Sequence, residues 1–264
     1  MLKIRLIPTL LLQHGQLVKS IGFKEYQIIG NPKIAIRFFN AWSVDEIIFL
    51  DISRTRDYTT LLRKDYNFKT LETIADIVKE SARICFVPLT VGGGIRNLED
   101  METLFHSGAD KVVINTEAVK RPQFITEGAR KYGNQAIVVS IDVKRNSTGE
   151  YEVFTEHGER PTGLHPVTWA KQAESLGAGE IFLTSIERDG MLGGYDLELT
   201  KMVSESVGIP TIACGGVGKW KDLVDGITLG GASAVSAANI FHFTEQSTKH
   251  AKRFMREAGI DVRI

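Results

Sequence analysis

Eight short apolar runs alternate with eight segments of helical period from one end of the chain to the other. Few folds accept that rhythm. The strand candidates are Ile4–Leu12, Glu46–Asp51, Ile84–Val91, Lys111–Ile114, Ala136–Val143, Glu180–Thr184, Pro210–Ala213 and Ser233–Ala237. The helical segments are Pro32–Ala41, Thr70–Glu80, Leu98–His106, Pro122–Tyr132, Pro166–Leu176, Leu197–Glu205, Lys219–Thr228 and Gln246–Glu257. Repetition of strand then helix specifies parallel strands joined by crossover helices. Runs such as Ile47-Ile48-Phe49-Leu50 and Ile137-Val138-Val139 are apolar throughout, as strands are when both faces are covered. Eight such units in 264 residues fit a closed barrel, which takes about 250. The expectation is one α/β domain over residues 1–264, a single (β/α)8 TIM barrel with no linker or low-complexity stretch.

The second half of the chain partly repeats the first, which sharpens that expectation to a two-fold half-barrel repeat. Pro88–Asp100 aligns with Pro210–Asp222, so Gly93 and Gly94 stand opposite Gly215 and Gly216. Ile7–Leu12 aligns with Val138–Val143, which sets Leu11 opposite Asp142. Both glycine pairs follow a strand and precede a helix. There, backbone N–H groups approach an anion unobstructed by a Cβ, and the helix end adds favourable partial charge. Asn115-Thr116 and Ala238-Asn239 end the next strands and complete two candidate phosphate sites.

Other candidates cluster at the C-terminal ends of the strands, where barrels of this kind carry their chemistry. Asp51 and Asp142 end the second and fifth strands, as general acid/base groups or as caps of backbone N–H groups. Lys19 and Asp189-Gly190 belong to mouth loops, although Asp189-Gly190 also reads as a plain turn. Asp51–Phe68 and Ser20–Asn31 form long polar loops on that side, and a small hairpin with Thr148-Gly149 at its turn follows the fifth strand. These insertions are functional or mere loop variation. At the opposite end, Arg5, Glu46, Lys111 and Glu180 begin strands one, two, four and six. Charges seldom stay buried unpaired, so a ring of two ion pairs is expected, either a stabilising plug or a polar gate.

Composition narrows the class. Lys and Arg number 32, as do Asp and Glu, so no bulk positive field favours nucleic acid or an anionic membrane. No apolar run approaches the roughly 18–20 residues of a membrane span. The N-terminal stretch lacks a basic n-region and cleavage site and reads as a strand. Cys85 and Cys214 lie in apolar runs, as reduced thiols of a cytoplasmic protein do. None of the six histidines sits at metal-ligand spacing, His242 reads as packed, and no metal or cofactor is implied.

Together these stretches resemble the cyclase subunit of imidazole glycerol phosphate synthase across essentially the whole chain. The resemblance is carried by Phe49-Leu-Asp-Ile, Val91-Gly-Gly-Gly-Ile, Gly108-Ala-Asp-Lys-Val, Ile141-Asp-Val-Lys-Arg, Thr184-Ser-Ile-Glu-Arg-Asp-Gly, Ala213-Cys-Gly-Gly and Phe241-His-Phe. It implies a glutaminase subunit docked on the N-terminal barrel face, with ammonia passing through the barrel to a phosphorylated substrate at the mouth. Arg5, Glu46, Lys111 and Glu180 then match the ammonia gate, and Asp110 matches a residue facing the glutaminase. Gly94, Asn115 and Thr116 match one phosphate site, and Gly216 with Ala238 matches the other. Lys19, Asp51, Asp142 and Thr184 match residues of the mouth.

One departure is chemical. The family's first strand ends in Cys-Leu-Asp-Val, whose Asp works opposite that of the fifth strand, whereas this chain has Thr9-Leu-Leu-Leu12. Leu11 transfers no proton. Asn239 and His157 each replace a serine of the family. The pattern is similar to the paralogous barrel subunits of bacterial surface-polysaccharide synthesis, which work with a glutaminase and a sugar amidotransferase in acetamidino formation. The expectation is such an ammonia-receiving barrel, acting on a phosphorylated or nucleotide-linked substrate. The alternatives are a histidine-pathway cyclase and a conduit without chemistry of its own.

Overall fold

The computed structural model describes residues 3–55, 58, 73–242 and 247–263. The chain begins with β1 (Arg5–Gln13), turns back through β2 (Gln16–Ile21) and β3 (Glu25–Gly30), and enters α1 (Pro32–Ala41). The first half continues with β4 (Ile47–Asp51), α2 (Ile74–Ala82), β5 (Leu89–Gly92), α3 (Leu98–His106), β6 (Lys111–Ile114), a short α4 (Thr116–Lys120) and α5 (Gln123–Tyr132). Then come β7 (Ile137–Arg145), β8 (Tyr151–Thr155), β9 (Arg160–Pro161), α6 (Pro166–Ser175), β10 (Glu180–Ser185) and α7 (Leu197–Ser204). The chain closes with β11 (Thr211–Cys214), α8 (Trp220–Thr228), β12 (Ala234–Ala237) and α9 (Ser247–Glu257).

Eight strands pair in parallel in the order β1, β4, β5, β6, β7, β10, β11, β12 and back to β1. The sheet is therefore closed, a (β/α)8 barrel without free edges in its wall. Two local readings of the sequence are corrected. Ser20–Asn31 is no loop, because β2 folds back on β1 and β3 pairs with β2, both antiparallel. The β3 pattern escapes notice because Glu25, Gln27, Ile28 and Gly30 are all exposed, which leaves no alternation to see. The run Ile84–Val91 is a strand only from Leu89, since Phe86 points into solvent. Most of Asp51–Phe68 lies outside the described residues. The hairpin after the fifth strand is present, as β7 runs on to Arg145 and pairs with β8.

Inward-pointing side chains stack in layers along the axis. At the floor sit the charged strand starts. Above them Ile7, Ile48, Val113, Val138, Phe182, Ile212 and Ala234 form a buried apolar girdle. Next come hydroxyls, with Thr9 and Ser236 hydrogen-bonded at 2.6 Å. Outward-pointing residues such as Leu6, Leu10, Phe49 and Val91 pack under the helices with Phe124 and Trp169. Helix starts are fixed by side-chain caps from Asn31, Thr73, Asn97 and Asp196. The last helix is pinned by Lys252, which is buried and donates to Ser43 O (2.6 Å) and Asp45 Oδ1 (2.7 Å). Asp45 in turn accepts from the Leu6 backbone N–H (2.8 Å), which ties α9 to the first barrel strand. Among the described residues no helix is long and apolar enough to cross a membrane.

Candidate functional site

The four charges at the floor close into one ring. Arg5 Nη1 donates to Glu46 Oε2 (2.6 Å) and Arg5 Nη2 to Glu180 Oε2 (3.1 Å). Lys111 Nζ donates to Glu46 Oε2 (3.0 Å) and to Glu180 Oε1 (2.9 Å). The sequence reading anticipated two ion pairs. The structure has four, because barrel register brings the starts of β1, β4, β6 and β10 to one level. Thr90 adds a hydroxyl donor to Glu46 Oε1 (2.6 Å). Burial acts to lower the Arg5 pKa, but Glu180 and Glu46 outweigh it and hold the guanidinium charged. Beside this ring, Asp110 is exposed, and its carboxylate accepts the Leu89 N–H (2.7 Å).

At the other end the strand termini surround a cavity of about 700 Å³. Asp142 lies on its wall, nine-tenths buried, accepting from Asn115 Nδ2 (2.7 Å) and Ser140 Oγ (3.2 Å). Desolvation dominates these hydrogen bonds and pushes its carboxyl up to about 7. Thr184 is its neighbour across the β7–β10 pairing and also lines the cavity. Asp51 accepts the Tyr58 hydroxyl (2.5 Å) and the Ser53 N–H (2.9 Å), so it caps its own loop while facing the mouth. Leu11 lines the same cavity, where it offers a hydrocarbon surface opposite Asp142 in the half-barrel repeat. Cys214, a free thiol, also lines it, and burial pushes that thiol up to about 12.

The first glycine loop opens on the cavity through Gly93 and Gly94, joined by Asn115 and Thr116. Gly93 has φ of +109°, and a Cβ there would lie 2.1 Å from Asp51 O, so no other residue fits. The second loop is arranged differently. The Gly194 N–H donates to Gly216 O (2.8 Å), and a Cβ on Gly216 would meet Gly194 O at 2.2 Å. Ala238 lines the cavity, whereas Gly190, Gly215, Gly216 and Asn239 are not among its lining residues. Asn239 Nδ2 donates to Ser20 O (3.0 Å), and Ser20 Oγ donates to Asp189 Oδ2 (2.6 Å). Asp189 and Asn239 thus hold the β2–β3 hairpin over this side of the mouth, and burial raises the Asp189 carboxyl.

Lys19 is not brought to the cavity. Strand alternation turns Ser20 into the mouth and leaves Lys19 off its lining. Had the β2–β3 hairpin been visible in the sequence, the same alternation would have separated the two residues. Sequence reasoning also missed Phe23, Tyr26, Arg54, Arg96 and Lys120, all of which line the mouth. Arg96 had a signal in its place two residues after Gly94. The others are set by hairpin and loop geometry that period alone does not reveal. His157 sits on the β8–β9 turn at φ +62°, next to Glu156 at +53°, and also lines the cavity. Partial burial, then Arg54, lowers its pKa and keeps the imidazole neutral near pH 7. Among the described residues no group of three or more His, Cys, Asp or Glu is arranged to hold a metal ion. Over residues 5–247 the sequence matches the family model described as histidine biosynthesis protein.

Proposed function

Because this chain belongs to the histidine biosynthesis protein family, we propose that it is the ammonia-receiving barrel of a glutamine-dependent amidotransferase. A glutaminase docks on the N-terminal face and releases ammonia at the charged ring. The ammonia crosses the barrel and is used at the mouth, or by a sugar amidotransferase seated there. Its destination is an acetamidino group on a nucleotide- or lipid-linked sugar precursor of a surface polysaccharide. The observation that carries this reading is the ring itself, with four ion pairs of 2.6–3.1 Å on the barrel axis below an apolar girdle. An apolar girdle favours neutral ammonia over ammonium, since an unpaired cation meets a large desolvation cost there. Phe86, 87% exposed, and Phe38, 51% exposed, add apolar surface near the floor for a protein partner.

Leu11 weighs against imidazole formation as the destination, because one carboxylate cannot act on both sides of a substrate. The cyclase reading keeps one specific support, the Asp142 carboxyl poised near neutrality. Two measurements on the barrel separate these readings. Added to a glutaminase of the family's type, the barrel should raise glutamine hydrolysis, and Glu180→Gln should release more of the ammonia to solution. Supplied with ammonium salt and the bisphosphorylated ribosyl-carboxamide, it should turn over about 10²–10⁴-fold more slowly than an intact acid–base pair allows. Leu11→Asp should recover part of that rate. Wild-type turnover at about 1 s⁻¹ or faster would return the barrel to the cyclases. No stimulation of hydrolysis would remove the glutaminase from the model.

A further inference from the structure

The loop between β10 and α7 carries an apolar dipeptide into solvent. Met191 is 55% exposed and Leu192 61%. Leu192 also has φ of +58°, a region that bulky side chains avoid and that glycine or asparagine occupies more readily. Among the described residues, the others with positive φ that are not glycine are His14, Phe23, Ser43, Glu156 and His157, so Leu192 is the one aliphatic side chain of the set. A leucine disfavoured by its backbone and by water at once gains most from a partner that buries it. We propose that Met191 and Leu192 anchor a second protein over the mouth, the enzyme that consumes the ammonia, through an apolar socket with carboxylates at its rim. The identity of that partner rests on the reading above, whereas the place and chemistry of the contact do not.

The dipeptide adjoins the cavity. Asp189, two residues before Met191, lines it, and the Asp189 carbonyl accepts the Gly22 N–H (2.9 Å) at the tip of the β2–β3 hairpin. A Cβ on Gly22 would lie 3.7 Å from Met191 Cε, so the methionine rests on that tip beside Phe23, another lining residue. Farther along the hairpin Ile28 is 64% exposed on β3, which among the described residues pairs with β2 alone. Loop and hairpin together place three exposed apolar side chains on the side where ammonia leaves the barrel. Ammonia released into water near pH 7 is protonated and is no longer a nucleophile, so a consumer seated on this rim gains by sealing it.

Charge separates this occupant from a second copy of the chain. Arg188 Nη1 donates to Gly193 O (3.5 Å), one residue past Leu192. Lys219 follows Gly218, whose Cβ would meet Leu192 O at 2.4 Å. Both cations are exposed, and neither pairs with a carboxylate among the described residues. The neighbouring carboxylates are already engaged. Glu187 accepts the Arg145 N–H (3.2 Å), Asp189 the Ser20 hydroxyl (2.6 Å), and Asp222 the Gly218 and Lys219 N–H groups (2.9 and 3.0 Å). Lys24 and Glu25 at the hairpin tip offset each other. A two-fold dimer through this loop would set its basic rim against itself. An acidic rim on a different protein complements it.

The test uses the full-length barrel, its glutaminase and the acetamidino-forming sugar amidotransferase of the same cells, each purified. Sedimentation of the barrel alone should give a monomer, and the barrel should bind the amidotransferase. Leu192→Asn suits φ of +58° and removes the hydrocarbon, so its melting temperature should hold or rise while affinity falls about 10-fold or more. Lys219→Glu should weaken binding by about 3- to 10-fold, and by less at high salt. Both variants should raise glutamine hydrolysis as the wild type does, because the floor is untouched. Wild-type affinity in Leu192→Asn, tighter binding by Lys219→Glu, a barrel dimer that Leu192→Asn dissolves, or no complex with the amidotransferase would each overturn the proposal. A wild-type barrel that fails to stimulate hydrolysis would instead remove the glutaminase, and the contact at the mouth would stand wherever amidotransferase binding persists and Leu192→Asn weakens it.

Discussion

Glu180 at the floor and Asp142 at the mouth are equally buried, each 9% exposed, but they are surrounded in opposite ways. Glu180 has Lys111 at 2.9 Å and Arg5 at 3.1 Å. Asp142 has an amide and a hydroxyl. Only the floor carboxylate stands between cations. The mouth keeps a carboxyl that burial pushes up to about 7, with neutral hydrogen-bond partners alone beside it. A closed ionic ring is suited to holding its shape under a docked partner. A desolvated acid with neutral hydrogen-bond partners is suited to exchanging a proton with something that arrives.

The sharpest way to break this contrast is to remove a charge from the ring. Glu46 contacts Arg5, Lys111 and Thr90, and its side chain is only 2% exposed. Glu46→Gln leaves both cations with a single counter-charge in a desolvated layer. Breaking a buried pair in this way typically costs about 3–5 kcal/mol, which urea unfolding would resolve. A loss below about 1 kcal/mol would mean that the ring behaves like exposed surface pairs, and the contrast with the mouth would fail.

At the mouth the sign reverses. A carboxyl whose folded pKa is raised binds its proton more tightly folded than unfolded. Its contribution to stability is full below the unfolded value near 4 and is lost as pH rises to about 7, with nothing further above that. Asp142→Asn carries no charge to desolvate and keeps an oxygen for the Asn115 amide. It should be more stable than wild type by on the order of 2–4 kcal/mol at pH 8 and nearly equal to it at pH 4. Denaturant midpoints across that range measure it. A pH-independent difference would show that the Asp142 charge is compensated by a group other than Asn115 and Ser140.

The same contrast explains how much could be read from the sequence. The ring was visible because its residues break the apolar pattern at strand starts, where a charge has no ordinary reason to stand. Its closure into four pairs was not visible, because it depends on barrel stagger. Asp142 and the first glycine loop were visible through the half-barrel repeat. The hairpin was not, since β3 is exposed on both faces and its alternation is hidden. That Ser20 and not Lys19 lines the cavity was hidden for that reason, and the turning of Asp189 and Asn239 toward Ser20 was equally out of reach. Hydrophobicity alone puts Phe86 in a strand, although its exposure is the informative fact. In short, layers along the barrel axis follow from period and register, whereas the mouth is shaped by chain segments that fold back over it.

The smallest expected effect concerns Asp110, which stands at the floor but outside the ring. A lysine there would be a poor test, because it would also remove the acceptor that the Leu89 N–H uses at 2.7 Å. Asp110→Asn keeps an oxygen in that position and removes only the charge. Its stability should fall by less than about 1 kcal/mol, the difference between a charged and a neutral acceptor. If Asp110 faces a glutaminase, the affinity for that partner should drop by about 3- to 10-fold, mostly through a slower association rate. The loss should shrink at high salt, where exposed charges are screened. Glutamine hydrolysis at saturating barrel should be unchanged, because the ring is untouched. Affinity equal to wild type at low salt would leave Asp110 as a cap for β5 and move the docking surface toward Phe38 and Phe86.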